Sequence, residues 1–165
     1  MRFFVALFLL SFFFLLSSCS EKEIELHEGY YAAEMDSFDD QGWKAFVSLY
    51  VASGKIINVE FDAKNEAGFL KSWDMDNIRW MKASKKMYPN KYMRAYSIAL
   101  LNWQDPDKIH PLAGAEKYCD IFKLLAKAAM GQSRQGNKDI VKVGYPLSTT
   151  FDRQVGSHVL VQKYK

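Results

Sequence analysis

The chain has 165 residues, with 22 lysines and arginines against 19 aspartates and glutamates, a formal charge of +3. That balance lacks the strongly basic face of a nucleic-acid binder, and no RRM, KH or zinc-finger spacing is present, so no nucleic-acid partner is expected. Three scattered histidines and two cysteines make no metal-ligand spacing. There is no Gly-x-Ser-x-Gly elbow, P-loop or His-Glu-x-x-His run, so no catalytic residue is assigned. A binding protein is expected rather than an enzyme.

The N-terminus is an export signal. Arg2 precedes residues 3–16 (FFVALFLLSFFFLL), then Ser17, Ser18 and Cys19. A basic start, a short apolar core and small residues at the end describe a secretory signal. A membrane span needs about 20 apolar residues, and here Ser20-Glu21-Lys22-Glu23 follows at once. The run Leu16-Ser17-Ser18-Cys19 resembles the lipobox of bacterial lipoproteins. That likeness implies an acylated Cys19, with the lipid bilayer as partner and an extracytoplasmic location. Two acyl chains anchor a protein firmly where one holds it marginally. Ser20 in place of an Asp-type retention residue favours the outer membrane over the inner one. An ordinary secretion signal with a cysteine at its cleavage site is the alternative.

Removal of residues 1–19 leaves 146 residues with a net charge of +2. That is enough for one domain with a real core. Cys119 is then the remaining thiol, which excludes an internal disulfide. Residues 20–28 are polar and read as a tether, and residues 29–165 as a single domain.

The first elements are strands. Residues 30–35 read as a strand, followed by the acidic loop Asp36-Ser37-Phe38-Asp39-Asp40. In residues 43–52, Trp43, Ala45, Val47, Leu49 and Val51 fall on one face. In residues 55–62, Ile57, Val59 and Phe61 do the same. Ser53-Gly54 between the two runs predicts a hairpin. Helical spacing follows: residues 74–86 with Ile78 and Met81, then a helix opened by Pro89 with Tyr92, Tyr96, Ala99, Leu100 and Trp103 inward. Asp105-Pro106 ends it. A third helix is expected over 115–130, with Tyr118, Ile121, Phe122, Leu125 and Ala129 inward and Gly131 as its cap. Residues 140–143 and 157–164 read as late strands. Hairpin, helices and returning strands together make an α+β domain.

The stretch from Asp105 to Cys119 (DPDKIHPLAGAEKYC) is a turn-rich loop running into a helix. A helix N-terminus presents unpaired N–H groups and about half a positive charge, which suits a phosphate; any loop-to-helix junction shares that property. Cys119 lies in the first helical turn, where a thiol pKa can fall, but it borders the apolar stripe and reads better as a small buried hydrophobe. The acidic loop 36–40 lacks EF-hand spacing and reads as solvated.

The chain resembles the FMN-binding domain family, in its small lipoprotein branch. The matching runs are Glu28-Gly29-Tyr30-Tyr31, Gly42-Trp43-Lys44, Gly54-Lys55-Ile56, Val59-Glu60-Phe61-Asp62, Lys71-Ser72, Met81-Lys82 and Pro89 to Tyr92, in order across residues 28–144. The domain also occurs in subunits of the sodium-pumping NADH:quinone reductase and the Rnf complex. The family signature is an Asp, then Ser/Thr-Gly-Ala-Thr-x-Ser/Thr, whose last hydroxyl can carry FMN through a phosphoester. Here His110 stands for the Asp, Ala113 precedes Gly114-Ala115, Glu116 stands for the Thr and Tyr118 for the attachment residue. Covalent FMN is therefore not expected.

The resemblance implies an FMN site at His110, Ala113, Gly114, Ala115 and Tyr118, with Trp43, Tyr118 or Trp103 stacking on the ring. Three readings stay open. One is noncovalent FMN with electron transfer to a redox protein partner. The second is a different anion, met by His110 as a cation. The third is a flavin-free cell-surface lipoprotein that acts as a binding or structural module.

Overall fold

The computed structural model describes residues 25–85 and 87–145; Cys19 and the strand expected at 157–164 lie outside them. Strand β1 is Gly29–Met35, β2 is Lys44–Ala52 and β3 is Lys55–Lys64. Helix α1 is Met75–Lys85, α2 is Pro89–Trp103 and α3 is Glu116–Gln135. Strand β4 is Val141–Val143. The sheet order is β3-β2-β1-β4, antiparallel except for the β1–β4 pair. The class is α+β, with the late strand β4 returning to the sheet beside β1.

Alternation in β2 gives the core its floor. Val47, Leu49 and Val51 are fully buried and Ala45 nearly so. Helices α2 and α3 cover that face with Tyr92, Tyr96, Leu100, Phe122 and Leu125. Burying each such side chain contributes about 1.5–3 kcal/mol.

Three expectations are corrected. Ile57 is 53% exposed, and Ile56 takes the core position instead. The pairing skips from Tyr50↔Asn58 to Val51↔Ile56, so Ile57 is the extra residue of a bulge, and the period-2 count fails there. Helix α3 runs through Gly131 to a left-handed cap at Gly136 (φ 66°). The residues after Gly131 continue the helical burial to Ser133, whose hydroxyl donates to the His27 carbonyl at 3.0 Å. An interior glycine costs only about 1 kcal/mol, less than that packing returns. Trp103 is 58% exposed at the last residue of α2 rather than inward.

The last residues of the expected tether lie against the domain. Leu26 packs on the core. The His27 N–H donates to Ser133 O at 3.2 Å, and Glu28 Oε1 accepts from the Ser53 N–H at 2.9 Å. The chain thus reaches the domain at the β2–β3 turn. Gln104, in the left-handed region at φ 57°, ends α2. Its side chain accepts from the Ile56 N–H at 2.8 Å and donates to the Ile56 carbonyl at 2.9 Å. That ties the C-terminal end of α2 to the first residues of β3. The opposite end of the sheet, where β1 and β3 finish and β2 begins, carries the candidate site.

Candidate functional site

Three segments meet at that end. The first is the acidic loop, which Asp39 folds. Its Oδ1 accepts from the Gln41 and Trp43 N–H groups, each at 2.9 Å. Its own N–H donates to Trp43 O at 2.8 Å. A short polar side chain that satisfies backbone donors two and four residues on is a turn builder, so this loop is ordered from within.

The second segment is a single 3-10 turn, Lys71–Trp73, after β3. Asp62, 2% exposed, anchors it: Asp62 Oδ1 accepts from Ala63 N at 2.7 Å and Ser72 N at 3.2 Å. This places Lys71 pointing inward at 1% exposure. The third segment is the start of α3. The Tyr96 hydroxyl donates to Ala115 O and accepts from Leu112 N, both at 3.0 Å, and fixes the turn before the helix.

Lys71 is the centre of the constellation. Its Nζ lies 5.6 Å from the Trp43 ring centroid and 5.3 Å from that of Tyr118. Both are within cation–π range. Its polar contacts are long: Gln41 Oε1 at 3.4 Å and Asp39 Oδ2 at 4.0 Å. An ammonium has three donors, and among the described residues this one is poorly supplied. Burial lowers its pKa; Asp39 partly offsets that, and Lys117 adds to it.

Behind Tyr118, the Tyr92 ring stacks at 4.4 Å and 11°. The Tyr92 hydroxyl is buried without a hydrogen-bond partner among the described residues. Burial, then the neighbouring Tyr118, pushes its pKa far above the usual phenol range. Burial also raises Tyr118. Tyr145, just past β4, is pushed up to about 12 by burial and by Asp39 and Asp36. These phenols are neutral donors at any physiological pH.

The structure brings two of the expected residues together, Trp43 and Tyr118, around Lys71. Ala115 is buried at the cap of α3, tied to Tyr96. His110, Ala113 and Gly114 lie exposed on the approach to α3. His110 makes no hydrogen bond or ion pair among the described residues. The Gly114 N–H, expected to face a phosphate, donates to Glu116 Oε1 at 2.9 Å. A carboxylate therefore occupies that amide.

Trp103 lines a separate cleft with Lys127 and Arg134. Lys127 is nine residues along α3 from Tyr118, about 13 Å, so Trp103 does not share the site. Cys119 is 1% exposed and burial raises its thiol pKa, with Lys123 opposing; the first-turn position does not make it reactive. Among the described residues no cluster of His, Cys, Asp and Glu is arranged to hold a metal.

Spacing alone did not single out Lys71, Asp39, Gln41 and Tyr92 as partners. The available signal was Lys71 itself, a cation between Phe69-Leu70 and Trp73 where an apolar residue would fit the burial.

The fold and the cluster define a class: a small α+β domain, four strands backed by two helices, with a buried lysine caged by aromatic rings at one end of the sheet. No family model matches the chain. It is 33% identical over 127 residues to the 15 kDa lipoprotein of Treponema pallidum (strain Nichols), covering 77% of this chain and 89% of that one. The chain belongs to the family of that lipoprotein.

A crystal structure of a Clostridium perfringens protein superposes with a TM-score of 0.70 at 28% identity, over 73% of this chain and 99% of that one. A solution structure from Clostridium thermocellum is 20% identical with a TM-score of 0.38, over 72% of this chain and 97% of that one. The lipoprotein relative shows the family and the Clostridium perfringens structure the fold; no FMN-binding family is shown.

Proposed function

We propose that this chain is an extracytoplasmic lipoprotein, anchored through acylated Cys19, that binds a planar aromatic anion noncovalently at the Lys71 end of its sheet. The lipoprotein relative and the lipobox-like run at Cys19 support the anchor. One observation carries the binding site: a nearly buried ammonium between Trp43 and Tyr118, with oxygen partners among the described residues no closer than 3.4 Å. The Gln41 amide belongs to an exposed residue and stands where a ligand oxygen would sit. An anion that displaced it would pair with Lys71 while its ring lay against the aromatic side chains. Charge-assisted hydrogen bonds of this kind are roughly twice as strong as neutral ones.

FMN is the member of this ligand class that the family resemblance singles out, and it would make the protein an electron carrier for a redox partner. Glu116 on the Gly114 amide opposes a phosphate at the helix start. The ligand phosphate is therefore assigned to Lys71. A flavin-free binding module remains the second reading, favoured by that same carboxylate.

The test is a flavin-fluorescence titration of the detergent-solubilised chain with FMN. Saturable quenching that Lys71→Met abolishes supports the site; no binding refutes FMN as the ligand. Flavin that stays after denaturation would overturn the noncovalent reading. The anchor has its own test. Cys19→Ser is expected to release the protein from membranes, and continued retention would overturn that half.

A further inference from the structure

We propose that the side of the domain formed by α1, α2 and the outer edge of β3 rests on the anionic surface of the bilayer that holds the lipid anchor. This rests on the anchor reading above. The side carries an exposed apolar strip: Trp73 is 67% exposed, Met75 56% and Ile98 49%. Trp73, Ile98 and Leu101 line a cleft against β3. Met75, Ile78 and Ile98 line the next cleft, between α1 and α2. Ile98 and Arg94 belong to both, so the two clefts are one continuous surface.

Its chemistry fits a lipid headgroup region. Tryptophan and aliphatic side chains enter the interface while cations meet anionic lipid. Arg94, which also faces Glu60 across the β3 cleft, borders the strip, and long basic side chains reach headgroups over an apolar body. The acids in the β3 cleft are Glu60 and Asp62. Asp62 is withdrawn into the fold, its carboxylate bonded to the Ala63 and Ser72 amides. On the outer face of α1, Asp76 pairs with Arg79 at 3.5 Å.

The route of the chain sets the orientation. Glu25 lies against the β2–β3 turn, where a Cβ at Gly54 would be 3.0 Å from Glu25 Oε1. Strand β3 is an edge of the sheet. Five residues lie between Cys19 and Glu25, six steps of chain with a reach of about 20 Å when extended. From the turn to Asp62, whose carboxylate accepts from the Ser72 N–H beside Trp73, β3 spans about 25 Å. A leash shorter than the domain, meeting it at the β2–β3 turn where the edge strand β3 begins, keeps that side of the domain near the bilayer.

The test uses the acylated full chain reconstituted in vesicles of phosphatidylcholine and phosphatidylglycerol with brominated acyl chains. Tryptophan emission is expected to be quenched. Trp73→Phe should remove most of that quenching, and Trp43→Phe little of it. Ile98→Asp, at an exposed position, should lower the Trp73 quenching while the protein still floats with the vesicles. Trp73 emission that follows protein density rather than bromine would show a second copy on the strip and overturn the proposal. A chain that floats with Trp73 unquenched overturns this proposal alone. A chain that does not float overturns the anchor reading, and this one with it.

Discussion

Replacing Lys71 by methionine separates a binding group from a structural one. Lys71 is 1% exposed. In folding it loses the hydration of an ammonium, and the penalty for a buried ion is several kcal/mol even after relaxation. What it gains is two cation–π contacts, at 5.6 and 5.3 Å, worth about 0.5–2 kcal/mol each. A long hydrogen bond at 3.4 Å and an ion pair at 4.0 Å add little. The lowered pKa states the same balance: in the fold the charged form is disfavoured. Methionine keeps the apolar stem and removes the charge. Asp39 keeps its two backbone donors at 2.9 Å.

Lys71→Met is therefore expected to be neutral to stabilising, by about 0–2 kcal/mol, or a rise in Tm of up to roughly 8 °C for a domain of this size. The pH dependence has a definite sign. With the folded pKa below the unfolded one, the charge penalty is fully present below the folded value. It is relieved as pH rises from there toward the unfolded lysine value near 10.4. The advantage of the variant should shrink as pH rises through that window. Urea unfolding at neutral and alkaline pH measures both. A loss of 2 kcal/mol or more at neutral pH with an unchanged m-value would refute the reasoning, because the aromatic contacts would then outweigh the desolvation.

Other outcomes follow from single contacts. Glu34 is held below the usual carboxylate range, chiefly by its hydrogen bond with Lys64 at 2.8 Å and also by Lys44 at 3.0 Å. Its contribution is present above the unfolded glutamate pKa and lost as pH falls through the folded one. Glu34→Gln should accordingly cost about 1 kcal/mol at pH 7 and nothing in strong acid, as denaturant titrations at both pH values would show. Ile56→Ala should cost about 2–4 kcal/mol and Ile57→Ala under about 0.5. Equal costs would mean that the bulge is misplaced. Cys119 should stay unreactive toward a disulfide reagent in the native protein at pH 8 and react at once in denaturant; prompt native labelling would contradict its burial.

Most of the fold was readable because periodicity and burial coincide. The alternation of Ala45, Val47, Leu49 and Val51 defined β2, and Pro89 opened α2. Misreadings came where one local rule met a stronger nonlocal one. Gly131 looked like a cap, but Ser133 is held by His27, more than a hundred residues away. Ile57 satisfied the alternation, yet the bulge turned it outward. The candidate site was half legible. Trp43 and Tyr118 were in view as aromatic residues of one strand and one helix. Lys71, which joins them, arrives from a third segment placed by the Asp62 carboxylate, and no spacing in the chain encodes that meeting.

The side-chain amide of Gln104 offers Ile56 what a neighbouring strand would offer: one acceptor for its N–H and one donor for its carbonyl. The free margin of the sheet is thus closed at its first outward peptide by the molecule's own helix. Proteins confined to a membrane meet their copies far more often than proteins free in solution, and bare strand margins invite them to stack. In this chain that invitation is withdrawn at the margin nearest the leash, so crowding on a surface need not lead to sheet-to-sheet growth there.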